Sequence, residues 1–351
     1  MAFLQSVCLF IFISIYLIFA RGAVYISVVF SLLLTTFDRA KYNMQGKVYK
    51  STGSWYSVCG EGGQFWNARI KGKLKIDEDI SSTNPVAVGD VVIFEPEDED
   101  IHTAIISGVV PRHNYMVRVS PHNPSQKHII ASNVDLALLV ASIADPRTST
   151  GFIDRFLVTA EAYHIPAIVV VNKMDILKPK HRDIFDDWER IYTAAGYELY
   201  PVVATDKSTL KGLGERLKNK ITLFSGHSGV GKSTLINQFI PGLGARTNVV
   251  SGWSGKGQHT TTFAEMFDLP DGGCIIDTPG VKEFGLIDFE KEELSQYFPE
   301  MRRILNDCKF NNCQHINEPD CAVKQAVANG IIATDRYVSY VSMQDSIEKK
   351  W

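Results

Sequence analysis

Asn172-Lys173-Met174-Asp175 precedes Gly226-His227-Ser228-Gly229-Val230-Gly231-Lys232-Ser233 in this chain, and Asp277-Thr278-Pro279-Gly280 follows both. The first segment reads as a guanine-specificity motif and the second as a phosphate-binding P-loop. The third reads as a sensor of Mg²⁺ and γ-phosphate. Ordinary GTPases run P-loop, DxxG, then NKxD. Here the last has moved to the front, so the order predicts a circularly permuted α/β nucleotide-binding domain. Termini that lie close together on a domain surface make such a relocation tolerable. Whatever follows DxxG is then a C-terminal appendage hung close to the switch.

The P-loop pattern works because its glycines let backbone N–H groups curl around phosphates. Lys232 reaches the β/γ oxygens, which places it among the candidate catalytic residues, and Ser233 ligates Mg²⁺. Its flanks agree. Ile221 to Ser225 is a short β-type run entering the loop, and Ser233 to Ile240 has helical spacing leaving it. Strand, glycine loop and helix N-terminus form an anion cradle. Asn172 to Asp175 follow Ala167-Ile168-Val169-Val170-Val171, an apolar run of the kind found in buried parallel strands. Placed there, the Asp175 carboxylate accepts from the N1–H and N2 amine of guanine. Adenine offers neither donor and would leave a buried acceptor unpaired. Pro201 to Thr205 reads as another buried strand, with Ala204 and Thr205 suited to the base carbonyl.

Asp277 follows a strand-like run, Gly273 to Ile276, and would hold Mg²⁺ through water while the Gly280 N–H senses the γ-phosphate. Between P-loop and DxxG lies Gly257-Gln258-His259-Thr260-Thr261-Thr262. A first switch needs a Thr on Mg²⁺, and Thr261 is the favoured candidate; a plain edge strand is the alternative reading. Val281 stands directly after DxxG, where Ras-like enzymes carry a water-orienting Gln. An apolar residue cannot orient water, so unaided hydrolysis is expected to be slow. His259 is the nearest polar candidate for that catalytic role, with a structural histidine as the alternative.

Cys308, Cys313, His315 and Cys321 form C-x4-C-x-H-x5-C, while Cys8, Cys59 and Cys274 are scattered. Three thiolates and an imidazole in a short polar loop suit one closed, structural Zn²⁺. Disulfides would need an even count and an oxidising compartment, and a GTP site argues for cytosol.

The permuted order, the Gly257 to Thr262 switch and the Cys/His cluster together resemble the ribosome small-subunit-dependent GTPase A family of bacterial assembly factors, from about Met44 to the C-terminus. The resemblance implies an N-terminal OB-fold, the permuted GTPase domain and a C-terminal zinc domain. It implies binding to the immature small ribosomal subunit and its rRNA, with GTP hydrolysis to GDP stimulated by that subunit. It further implies nucleotide contacts from Asn172, Lys173, Asp175 and Gly226 through Thr234. Metal ligation at Cys308, Cys313, His315 and Cys321, and His259 as the switch histidine, carry over in the same way.

The OB-fold has weaker independent support. Short β-type runs alternate with turns at 47–50, 54–58, 68–74, 86–94 and 103–110, suiting a five-stranded barrel. Trp55, Tyr56, Phe65 and Trp66 lie near Arg69, Lys71, Lys73 and Lys75, which suits stacking on bases with cations on phosphates, or ordinary packing beside a solvated basic face. The net charge of −3 gives no global nucleic-acid signal, so any footprint must be local.

The expected organisation is multidomain: an apolar segment over 1–43, a β-barrel over 44–120, the permuted GTPase domain over 121–290 and a helical zinc-binding module over 291–351. Leu4 to Ala20 is long enough for a marginal membrane span, so the segment is either an upstream start-site artefact before Met44 or an inner-face anchor. A cytoplasmic monomer is expected. The competing functional readings are a membrane-tethered regulatory GTPase without a ribosomal role and a non-catalytic RNA-binding scaffold.

Overall fold

The computed structural model describes residues 44–70, 72, 84–119, 127–243, 263–278 and 289–348. The apolar segment 1–43 lies outside them. No helix among the described residues is long and apolar enough to cross a membrane.

Met44–Ser51 (β1), Tyr56–Gly60 (β2), Phe65–Ile70 (β3), Val91–Asp98 (β4) and Thr103–Val109 (β5) form the N-terminal barrel. Their pairing runs β1-β2-β3-β5-β4 and closes through β4 on β1, with β3 and β5 parallel and the other pairs antiparallel. Alternation explains the core: Val48, Tyr56, Val58, Trp66, Ala68, Val92, Phe94, Ala104 and Ile106 point inward. Two strands start later than the sequence suggests. The 54–58 run becomes β2 only at Tyr56, and the 86–94 run becomes β4 only at Val91. The reason for the second is Asp90. Its buried carboxylate accepts from the Ala87 N–H at 2.8 Å, from Arg112 Nε and Nη2 at 2.7 and 2.6 Å and from Ser132 Oγ at 2.5 Å, so 86–90 is a bonded turn. Arg112 and Ser132 tie that turn to a hairpin absent from the sequence reading, Tyr115–Val119 (β6) with Lys127–Ser132 (β7).

Leu136–Ala141 (β8), Ala167–Val171 (β9), Glu198–Pro201 (β10), Ile221–Ser225 (β11), Glu265–Asp268 (β12) and Cys274–Asp277 (β13) build the central sheet in the order β10-β9-β8-β11-β13-β12. All its pairs are parallel except β12 with β13. Both faces are covered, which is why β8 is apolar throughout: Ala137, Leu139 and Ala141 enter one core while Leu136, Leu138 and Val140 enter the other. Thr150–Ala162 (α1), Pro179–Ala195 (α2), Lys211–Leu217 (α3) and Lys232–Phe239 (α4) supply the cover. The strand expected over Pro201 to Thr205 instead runs from Glu198 to Pro201, because the Val203 N–H turns to Thr209 Oγ1 at 3.0 Å and the Ala204 N–H to Asn172 Oδ1 at 2.9 Å.

The barrel joins the central sheet edge to edge, with Lys50 of β1 opposite Glu265 of β12. Lys50 Nζ lies 2.9 Å from Glu265 Oε2, and the Tyr49 hydroxyl donates to Asp268 Oδ1 at 2.7 Å. Pro299–Arg302 (α5), Ala322–Ala328 (α6) and Thr334–Glu348 (α7) form the C-terminal module around Leu294, Phe298, Met301, Val323 and Tyr340.

Candidate functional site

β8, β9, β11 and β13 all end at one rim of the parallel sheet, the rim where open α/β sheets place their ligands. Gly226 to Ser233 follow β11 there. Asn172 follows β9 and is 2% exposed. Its Nδ2 donates to the Val230 carbonyl at 2.8 Å, its Oδ1 accepts from the Ala204 N–H at 2.9 Å, and its own N–H donates to the Ala141 carbonyl at 2.9 Å. One amide therefore straps the NKMD turn, the P-loop and the 203–206 turn together. The close approach requires Gly231: at φ +96°, a Cβ there would sit 2.2 Å from Asn172 Nδ2.

Lys173 takes a left-handed conformation, φ 64°, and its Nζ donates to the Asp145 carbonyl at 2.5 Å. Asp175 stands exposed on the next turn, Met174–Ile176, with Thr205 also exposed and Ala204 buried. Asp206 caps the short turn that follows by accepting from the Ser208 N–H, which fixes the backbone around Ala204 and Thr205.

α4 begins at Lys232, directly behind Gly231. The Lys232 ammonium is buried, lies 3.0 Å from Asp277 Oδ1 and donates to the Thr278 carbonyl. Asp277 closes β13 opposite Phe224 of β11, and Thr278 Oγ1 donates back to the Phe224 carbonyl at 2.8 Å. The P-loop cation and the DxxG carboxylate thus share one spot, flanked by the exposed Ser233 and Thr234. His227 stacks on Phe152 of α1, ring centroids 3.8 Å apart and planes at 27°. Ser228 and Gly229 are exposed and Val230 is buried. His259, Thr260, Thr261, Gly280 and Val281 lie outside the described residues.

Sequence reasoning missed three contributors to this rim. Asp145 was signalled only as a turn dipeptide with Pro146 after the apolar β8 run. Thr278 passed as a motif spacer, and nothing local marks Phe152 as the partner of His227.

The Cys/His cluster does assemble. Ligand atoms of Cys308, Cys313, His315 and Cys321 lie within 4.8 Å of one another. His315 Nδ1 is 3.6 Å from Cys308 Sγ and 3.4 Å from Cys321 Sγ, and the two sulfurs are 4.0 Å apart. Bonds of about 2.3 Å to sulfur and 2.0–2.1 Å to nitrogen give tetrahedral edges of roughly 3.6–3.8 Å, so the donors fit one Zn²⁺. Burial pushes the Cys313 thiol up to about 12, with the Cys321 sulfur adding to the rise, and lowers His315. A bound cation would reverse the thiol's preference. Glu318 adds hydrogen bonds within the loop, accepting from the Gln314, Ile316 and Asn317 N–H groups at 3.0, 3.0 and 3.1 Å. Burial works against that carboxylate's charge, yet these bonds hold it below its usual range. The Tyr337 and Tyr340 hydroxyls donate to the His315 and Gln314 carbonyls.

The barrel's aromatic set divides. Tyr56 and Trp66 are core residues at 2% and 7% exposure, so neither stacks on a base; Trp55 and Phe65 are exposed at 41% and 45%. Arg69 on the same strand face as Phe65 pairs with Glu97 at 2.6 Å. Lys71, Lys73 and Lys75 lie outside the described residues.

Comparison with known proteins decides the family. The chain matches the RsgA GTPase family over residues 109–287 and the RsgA N-terminal domain over 45–105. The chain belongs to the RsgA GTPase family. It is accordingly a GTPase, a hydrolase with a circularly permuted nucleotide domain. A Flavobacterium johnsoniae protein named small ribosomal subunit biogenesis GTPase RsgA is 49% identical over 309 residues, 88% of this chain and 95% of that one. Among solved structures, YjeQ from Thermotoga maritima aligns with TM-score 0.69 and 32% identity over 88% of this chain and 100% of its own. YloQ, described as a circularly permuted GTPase, gives TM-score 0.66 and 30% identity over 88% and 96%.

Proposed function

We propose that this GTPase acts in the cytoplasm in late maturation of the small ribosomal subunit, binding it in the GTP form and leaving after subunit-stimulated hydrolysis. The observation that carries the nucleotide half is the Asn172 amide, which joins the NKMD turn to the P-loop across the permuted chain. Asp175 then selects guanine by accepting from its two edge donors, with Lys173, Ala204 and Thr205 lining the base. Gly226, His227, Ser228, Gly229, Val230 and Gly231 wrap the phosphates with backbone N–H groups, Lys232 neutralises the β/γ oxygens, and Thr234 continues the helix N-terminus behind them.

Ser233, Thr261 and Asp277 hold Mg²⁺, which supplies charge neutralisation at the phosphates when bound, and the Gly280 N–H senses the γ-phosphate. Val281 leaves the usual water-orienting position apolar, and His259 fills that role in the subunit-bound enzyme. Cys308, Cys313, His315 and Cys321 hold a structural Zn²⁺ that fixes the C-terminal module.

The subunit half rests on family membership and on relatives named for small-subunit biogenesis. On the barrel, Trp55 and Phe65 are the aromatics available for stacking on rRNA bases. Sucrose-gradient co-sedimentation with small subunits tests the reading. The protein should travel with subunits in the presence of a non-hydrolysable GTP analogue and stay at the top with GDP. Equal distribution in both would reject it.

A further inference from the structure

Helix α1 is buried on two sides. Phe152, Ile153, Phe156, Leu157 and Ala160 enter the core of the central sheet, whereas Val158 belongs to the core of the C-terminal module with Phe298 and Tyr340. Asp154, fully buried, faces that module too. Its Oδ1 accepts from Arg336 Nη1 of α7 at 2.8 Å, and Arg336 also grips Glu300 of α5 through Nε at 2.6 Å and Nη2 at 3.2 Å. The guanidinium is 1% exposed and lies 4.6 Å over the Phe298 ring. A planar ion held by two carboxylates and an aromatic face cannot slide without leaving a buried charge uncompensated. The C-terminal module therefore anchors α1 on the flank that the central sheet leaves open.

Two residues before Asp154, the Phe152 ring carries the stacked ring of His227. The helix start is pinned there as well, by Ser149 Oγ accepting from the Phe152 N–H. His227 is the second residue of the P-loop, immediately after Gly226, where at φ +149° a Cβ would lie 2.4 Å from the Val140 carbonyl. The loop entrance is thus fixed from below by β8 and from the side by α1.

We propose that Phe152 and Arg336 are positioning residues for nucleotide binding: the C-terminal module, through Arg336, Asp154 and α1, holds the Phe152 ring against His227 and presets the P-loop for phosphate. This rests on the reading of Gly226 to Ser233 as the phosphate site. A preset loop surrenders less freedom when the ligand binds, so loosening it weakens binding without removing any ligand contact.

The test is fluorescence titration of the full-length chain with N-methylanthraniloyl-GDP. Phe152→Leu, which keeps apolar volume but loses the ring, should weaken binding about three- to ten-fold, as expected for one aromatic pair. Phe152→Tyr should restore affinity to within about two-fold of wild type. Arg336→Met should also weaken binding, and the double variant Phe152→Leu/Arg336→Met should be no weaker than the worse single one, since both act along one path. Near-UV circular dichroism checks that Arg336→Met folds; if it does not, Arg336→Lys, which loses the fork to Glu300, takes its place in the cycle. Wild-type affinity in Phe152→Leu, or losses that multiply in the double variant, would overturn the proposal. So would an Arg336 variant that melts earlier yet binds as wild type. A wild-type chain that fails to bind the probe would instead reject the phosphate-site reading itself.

Discussion

Asn172→Ala removes a side chain that makes two buried hydrogen bonds, to the Val230 carbonyl at 2.8 Å and from the Ala204 N–H at 2.9 Å. Both partners stay buried after truncation, at 0% and 5% exposure for their residues. Each orphaned group costs about 1–3 kcal/mol, so the pair sums to about 2–6 kcal/mol. Water entering the space left by the amide recovers part of this, which sets the expected loss at about 2–4 kcal/mol. Urea unfolding followed by circular dichroism should show a lower midpoint at unchanged slope. Guanine-nucleotide affinity should fall at least about ten-fold, because the strap also holds the two binding turns in mutual register. Asn172→Asp separates the bonds: it keeps the acceptor for Ala204 but sets a carboxylate oxygen against the Val230 carbonyl, so it should lose affinity as well. A wild-type urea midpoint and wild-type nucleotide affinity in Asn172→Ala would refute the strap.

Asp175→Asn should lower GTP affinity and raise XTP affinity in calorimetry, since an amide pairs with the xanthine carbonyl; unchanged GTP binding would remove Asp175 from the base site. Cys313→Ser should abolish stoichiometric zinc and lower the melting temperature of the C-terminal module, and a wild-type chain purified without zinc would reject the cluster. His259→Ala should leave GTP affinity near wild type and cut subunit-stimulated hydrolysis roughly a hundred-fold in single-turnover assays; an undiminished rate would make that histidine structural. Trp66→Ala should destabilise the barrel by about 3–5 kcal/mol in urea, whereas Trp55→Ala should leave its midpoint unchanged.

The nucleotide motifs were legible because their chemistry is local: glycines, a lysine and a strand lie within a dozen residues of each other. The Cys/His cluster was legible by spacing for the same reason. The barrel aromatics were left undivided between stacking and packing although the means to divide them was present. Trp55-Tyr56 and Phe65-Trp66 are neighbours on extended backbone, so one of each pair must point inward. Val58 and Ala68, two residues on from Tyr56 and Trp66, fix which one. The late start of β4 was hidden because Asp90 finds its partners, Arg112 and Ser132, 22 and 42 residues away. Asp154 in an apolar helix was a visible anomaly, but its cation sits 182 positions downstream and no local pattern points to it.

That separation has a temporal meaning during synthesis. The Asp154 side of α1 leaves the ribosome long before Arg336 does, and every described strand of the central sheet is complete by Asp277. A nascent chain ending before Thr334 leaves the Asp154 carboxylate without its Arg336 partner, with one flank of its nucleotide domain unfinished. The final helix therefore closes an enzyme that was otherwise already assembled, and a chain cut short at its C-terminus forfeits the finished flank rather than a dispensable tail.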